Sequence, residues 1–139
     1  MITFKFTDYL TEDEVIIRTE VFVEEQKFKE EFDTQDKNSF HLVIYDNENP
    51  VGCCRFFKTE VNGKFKLGRL AIRKSHRGKH FGKVIMKEAE HLAKSEGAVI
   101  MALSAQCRAS GFYEKLGYVK MGEIYLDEYC EHIHMEKTL

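Results

Sequence analysis

Apolar positions along the chain follow two rhythms. Ile2, Phe4 and Phe6 alternate with polar residues, the period-two pattern of a half-buried strand. Thr11 and Glu14 stand at capping-box spacing ahead of Val15, Ile16, Val21 and Phe22, which predicts a helix over residues 12–25. Residues 24–39 are acidic and aromatic without a period and read as a loop with room for a short helix. Strand patterns return at 40–45 and 51–60 around a D-N-E-N-P turn, and Asn62-Gly63 marks a tight hairpin into a strand at 64–72.

Phe81, Val84, Ile85, Ala89, Leu92 and Ala93 recur at helical spacing, so a helix is expected over 78–96 with Gly97 as its stop. A buried-type strand at 98–104, a short helix at 109–116 and strands at 118–126 and 131–137 complete the order. With one proline and no linker or repeat, residues 1–139 read as a single mixed α/β domain with many sequential hairpins.

Composition narrows the class. Of 139 residues, 43% are hydrophobic and eleven are Phe, which argues against disorder. No apolar run approaches the roughly 20 residues of a membrane span, so no membrane partner is expected. The N-terminus lacks the apolar core of a signal peptide. The four cysteines, Cys53, Cys54, Cys107 and Cys130, form no C-x-x-C pair, which favours a reducing, cytoplasmic setting over a zinc or disulfide framework. A pI near 6.3 argues against a nucleic-acid partner. The oligomeric state is open, with a homodimer as the commonest arrangement.

Charge is segregated. Between Glu60 and Glu88 lie nine Lys or Arg and no acid; with −2 for the whole chain, the remainder carries −11. The densest part is Leu70 to Lys83, a strand-to-helix turn, where amide groups and the helix dipole favour an anion such as phosphate. The P-loop pattern fails there: Gly78 to Gly82-Lys83 is one residue short, and Val84 replaces the hydroxyl that would hold Mg²⁺.

The stretch Arg77-Gly78-Lys79-His80-Phe81-Gly82 resembles the acetyl-CoA signature [QR]-x-x-G-x-[GA] of the GNAT superfamily of N-acetyltransferases, with His80 in place of the middle glycine. Ala109 to Tyr118 resembles that family's A-x-x-F-Y-x-x-L-G-[FY] segment, in the expected place after the next strand. Val21 to Gln26, Glu31-Phe32-Asp33 with Asp36 and His41, Ala105-Gln106, and His132-Ile133-His134-Met135 resemble an ElaA-like or YjcF-like subgroup.

The resemblance implies a mostly antiparallel twisted sheet flanked by helices. It implies acetyl-CoA as cosubstrate, bound by Leu70, Ala71 and Ile72 along the pantetheine arm and by Arg77, Gly78, Lys79, His80, Phe81 and Gly82 around the pyrophosphate. Gln106 could position the acetyl end, and Tyr113 is the expected acid at the departing thiolate, since a phenol can donate to it. Glu25, His41 and His132 are candidates for the base that takes the amine proton. His132 and His134 share a strand face, but the sequence offers them no third ligand, so no metal is expected. Cys107 lies near the thioester end, and Phe22, Phe28 and Phe32 could line an acceptor pocket or simply pack.

The function expected is acetyl transfer from acetyl-CoA to a primary amine, a small molecule or a protein lysine, by direct attack in a ternary complex. The acidic segment from Glu24 to Asp36 suggests a cationic acceptor. The alternative is a non-catalytic acyl-CoA-binding or sensing module on the same fold. Tyr113 favours the enzyme, whereas His80 leaves room for the sensor.

Overall fold

The period-two segments pair into one sheet. A computed structural model describes residues 1–139. The strands are β1 (Ile2–Thr7), β2 (Phe40–Asp46), β3 (Asn49–Lys58), β4 (Lys64–Ile72), β5 (Ile100–Gln106), β6 (Val119–Asp127) and β7 (Cys130–Thr138). Their order across the sheet is β1-β2-β3-β4-β5-β7-β6, and every neighbouring pair is antiparallel except β4 with β5. The helices are α1 (Glu12–Arg18), α2 (Phe81–Ser95) and α3 (Ser110–Lys115).

Alternation along the strands gives the sheet two apolar faces. On one, α2 lays Phe81, Ile85, Met86, Ala89 and Ala93 against Leu42, Cys54, Phe56, Leu67 and Leu103. On the other, Ile17, Val21, Phe22 and Phe28 cover Val43, Cys53 and Ala71. That second cover reaches only the first half of the sheet, because α1 and the turn after it end before β5.

Several boundaries differ from the sequence reading. The helix expected over 12–25 is α-helical only to Arg18, then winds in wide π turns over Thr19–Glu25, with the Gln26 amide reaching Val21 O, five residues back. Such wide turns are frequent at functional sites. A single 3₁₀ turn, Thr34–Asn38, is the short helix within the 24–39 loop. The second helix begins at Phe81 rather than at 78, because Gly78 and His80 take left-handed backbone angles, φ 77° and 67°. The strand expected at 98–104 runs from Ile100 to Gln106, since the Ala98 amide still serves the end of α2 by donating to Ala93 O.

Candidate active site

Two faults in the sheet make room for a ligand. β4 and β5 pair only from Lys64–Ile100 to Leu67–Leu103. Beyond that point β4 stays with β3 and β5 stays with β7, so the two strands part into a wedge. At the same place β4 bulges: Gly68 faces Arg55 and Ala71 faces Cys53, leaving Arg69 and Leu70 opposite Cys54 alone. Arg69 takes φ 52° there, and its guanidinium fixes the bulge by donating to Glu31 O and pairing with Glu31 and Asp33. A cleft of ≈ 1320 Å³ runs through the wedge.

Most of the expected cofactor residues line this cleft. Leu70, Ala71 and Ile72 form one wall, Gln106 and Tyr113 stand on the other, and Arg77, Gly78, His80, Phe81 and Gly82 close one end. Lys79 does not line it and faces solvent. The amides of residues 78–83 donate no hydrogen bond within the chain, so six successive N–H groups are free at the start of α2. That is the donor array an anion needs. Gly82 is close-packed, since a Cβ there would come within 3.2 Å of the Phe112 ring.

Arg77 does not offer its guanidinium to the open cleft. Its Nε donates to Ile72 O at 2.8 Å, and its two Nη groups hold both Glu25 oxygens at 2.6 and 2.7 Å. The pair ties the last π turn to the basic turn. The Arg77 hydrogen bonds hold the Glu25 carboxyl below the ordinary range, which makes it a poor proton acceptor.

Tyr113 lines the cleft with a hydroxyl that has no hydrogen-bond partner in the chain, its ring set edge-on to Phe112 and Tyr118. Burial pushes this phenol well above its usual pKa, so it keeps its proton at neutral pH. Tyr118 differs in kind: its hydroxyl donates to Glu90 at 2.7 Å beneath α2.

His132 is buried on β7, lines the cleft and stacks on Tyr125. Its Nδ1 lies 3.0 Å from Cys130 O, and a carbonyl can only accept, so Nδ1 carries the hydrogen. Nε2 is then the basic nitrogen, and no group of the chain occupies it. Neighbouring His134 is bonded to Glu136, which pairs in turn with Lys64. Gln106 is held from both sides, donating to Gln26 and accepting from Arg108. A strap crosses above: Tyr129 stacks on Phe28, its hydroxyl donates to Gln26 O, and Glu128 accepts from the Lys29 and Glu30 amides.

The remaining candidates divide between the cleft and the core. His41 is fully buried away from the cleft, its Nδ1 on Glu14 and its Nε2 on Asp36 O. Phe22 and Phe28 line the cleft, but Phe32 lies outside it beneath the Arg18 guanidinium. Cys107 packs partly buried against the core rather than lining the cleft.

Sequence reasoning missed a buried ion network. Arg18, wholly buried, binds Glu14, Glu31 and Asp36; Arg55 binds Asp33 and Asp36. Burial alone would raise Asp36, but hydrogen bonds from Arg18 and Arg55 win and hold it down to about 2. The network revises the reading of the acidic loop. Glu31, Asp33 and Asp36 are paired with arginines and Glu25 with Arg77, which leaves Glu24 and Glu30 as the acids of that segment without an ion pair. Glu14, Asp36 and His41 come close enough together to hold a metal ion, but Arg18 already supplies the cation between the two carboxylates.

Comparisons with known proteins bear on the family and the fold. The family model for the acetyltransferase (GNAT) domain matches residues 7–139. The uncharacterized N-acetyltransferase YjcF of Bacillus subtilis is 41% identical over 128 residues, 90% of each chain. The crystal structure of Escherichia coli ElaA superposes with a TM-score of 0.87 at 22% identity, covering 99% of both chains. A Bacillus subtilis acetyltransferase solved in complex with CoA superposes with a TM-score of 0.75 at 14% identity, covering 100% of this chain and 99% of that one.

Proposed function

This chain belongs to the GNAT family of acyl-CoA-dependent N-acetyltransferases, and we propose that it transfers acetyl from acetyl-CoA to a primary amine by direct attack in a ternary complex. The observation that carries the donor half is the run of free amides at 78–83, placed at one end of a wedge that opens between β4 and β5. The pyrophosphate takes those amides. The pantetheine arm runs along Leu70 to Ile72, and the thioester reaches Tyr113 and Gln106. The CoA bound by the Bacillus subtilis structural neighbour supports this choice of cosubstrate.

The chemistry then divides between two side chains. The ammonium gives up one proton to Nε2 of His132, the lone pair so freed attacks the acetyl carbonyl carbon, and the second proton on nitrogen passes from the adduct to water. The C–S bond breaks, and the electron pair leaves on sulfur. Tyr113 donates a hydrogen bond to that thiolate. Because burial sets the phenol above an ordinary thiol pKa, it steadies the thiolate rather than surrendering its proton outright. Glu25 serves as the partner that orients Arg77, not as the base.

Two measurements test this reading. Acetyl-CoA should raise the melting temperature where AMP at the same concentration does not; the absence of a shift at millimolar acetyl-CoA removes the cofactor assignment. With a panel of amines, thiol release should depend on an amine. Binding of acetyl-CoA without thiol release for any amine would leave only a sensing module.

A further inference from the structure

The donor occupies the wedge and the basic turn, which leaves the β3–β4 side of the cleft for the amine. The floor there is set by register. Arg55 faces Gly68 and Phe57 faces Lys66 across the two strands, so these four positions share the cleft side of the sheet. Gly68 leaves the floor open: a Cβ built on it meets nothing within 4 Å.

Charge on this floor is unbalanced. Lys64 pairs with Glu136, yet Lys66, two residues on, makes no ion pair and is half-buried in the cleft. Arg55 is 5% exposed and spends its Nη groups on Asp33 and Asp36, but its Nε–H is a buried donor with no acceptor. A buried donor without a partner is uncommon and calls for an explanation. The acids that line the same cleft are mostly engaged: Glu25 by Arg77, Glu31 by Arg18 and Arg69, and Glu128 by the Lys29 and Glu30 amides. Glu30 and Asp127 are exposed at the rim beside the strap and make no ion pair.

An uncompensated cation on the floor and free carboxylates at the rim complement a molecule that carries both signs. We propose that the acceptor is an amino acid or other amino carboxylate, its carboxylate bound by Lys66 over the Gly68 floor. This rests on the transferase reading above and adds the chemical class of its acceptor. The rim acids draw in the ammonium end, and Lys66 fixes the other end so that the amine is held toward the thioester. An acceptor without an anionic group leaves Lys66 unpaired and loses that positioning.

The test compares an amino acid, its methyl ester and the amine that lacks the carboxylate, using the wild type, Lys66→Gln and Gly68→Val. Acetyl-CoA affinity is measured separately by calorimetry. In the wild type the amino acid should exceed both analogues in kcat/KM by about tenfold or more, the scale of one charge-assisted contact. Lys66→Gln should raise KM for the amino acid by a similar factor, leave the analogues and acetyl-CoA affinity unchanged, and so erase the preference. Gly68→Val should impair all three acceptors while acetyl-CoA still binds. If the ester or bare amine serves as well as the amino acid, or if Lys66→Gln keeps the preference, the proposal is overturned. Turnover of no amino carboxylate while acetyl-CoA still binds overturns it too, whereas loss of acetyl-CoA binding in the wild type strikes the transferase reading itself.

Discussion

At the scale of single residues, the assigned roles separate by what each atom has left to bind. Tyr113 has a free hydroxyl and His132 a free Nε2, whereas Glu25 and His41 have none to spare. Tyr113→Phe removes only the hydroxyl proposed to steady the thiolate. We expect kcat to fall by roughly 10²-fold with little change in acetyl-CoA affinity, measured by thiol release and calorimetry. Undiminished turnover takes Tyr113 out of the mechanism. His132→Gln keeps a polar side chain but loses the proposed base. Its kcat should fall by a similar factor while acetyl-CoA affinity and melting temperature are kept. A fall that comes with lost stability or lost acetyl-CoA affinity means that His132 only packs.

His80 yields a further prediction at this scale. It holds φ 67° as the N-cap of α2, and its side chain makes no cap hydrogen bond. A Cβ in the left-handed region costs roughly 1–2 kcal/mol, against which glycine loses about 0.4–1 kcal/mol of unfolded-state entropy. His80→Gly should therefore stabilise the protein slightly, by up to about 1 kcal/mol, and leave acetyl-CoA binding intact; thermal unfolding and calorimetry check both. A loss of stability would show that the imidazole makes a favourable contribution that outweighs its backbone strain. The sequence marked His80 as a departure because only glycine was expected there, and the structure supplies the physical reason. Lys66 could not be singled out in the same way, because only Lys64, Arg69, Arg73 and Arg77 of the nine cations in that window make ion pairs, and nothing local puts Lys66, rather than another of the rest, on the cleft floor.

At the scale of elements, the buried arginines connect α1, the 31–36 loop, β2, β3 and the bulge of β4. Arg18→Met would leave Glu14 with His41 alone and take from Asp36 one of its two arginines. We expect a loss of about 3–5 kcal/mol in urea unfolding, the usual cost of breaking a buried pair. pH should act on the same network from both sides. Asp36 sits at about 2, below its ordinary value of 3.8, so its contribution is complete above pH 3.8 and fades as pH falls toward 2. Asp33 is lowered as well, mainly by its hydrogen bond from Arg55. Glu31 opposes them, since burial raises it, and so offsets part of the acid-side loss. Burial would lower His41, but the Glu14 carboxylate raises it above 6.5; its contribution is present below pH 6.5 and is lost as pH rises through the folded value. Chemical denaturation across pH should therefore show greatest stability between about pH 4 and 6.5. His41→Asn should remove the decline on the alkaline side; if that decline persists, His41 is not its cause.

Strands and hairpins were legible because period two and Asn62-Gly63 act locally. The bulge at Arg69 and the π turns over Thr19–Glu25 were not, because long-range ties hold them: Glu31 and Asp33 on one, Arg77 on the other.

At the scale of the whole molecule, the wedge joins two half-sheets that share only four parallel residue pairs, from Lys64–Ile100 to Leu67–Leu103. On the cleft side they are bridged by the strap, through Glu128 and Tyr129, and by Gln26 with Gln106. A ligand that fills the wedge must therefore stiffen both halves, unlike an anion held by the basic turn alone. Hydrogen exchange distinguishes the two. On saturation with acetyl-CoA, protection should rise at 78–83, where the amides are free, and also along both walls at 70–72 and 104–106. Inorganic pyrophosphate should protect 78–83 only. The charge segregation adds a salt signature, because the turn carries its cations on an exposed surface. Raising ionic strength should weaken pyrophosphate more steeply than acetyl-CoA, whose proposed pantetheine path runs along largely uncharged strand edges. If acetyl-CoA protects the turn but neither wall, the arm does not enter the wedge, and Tyr113 loses its place beside the thioester.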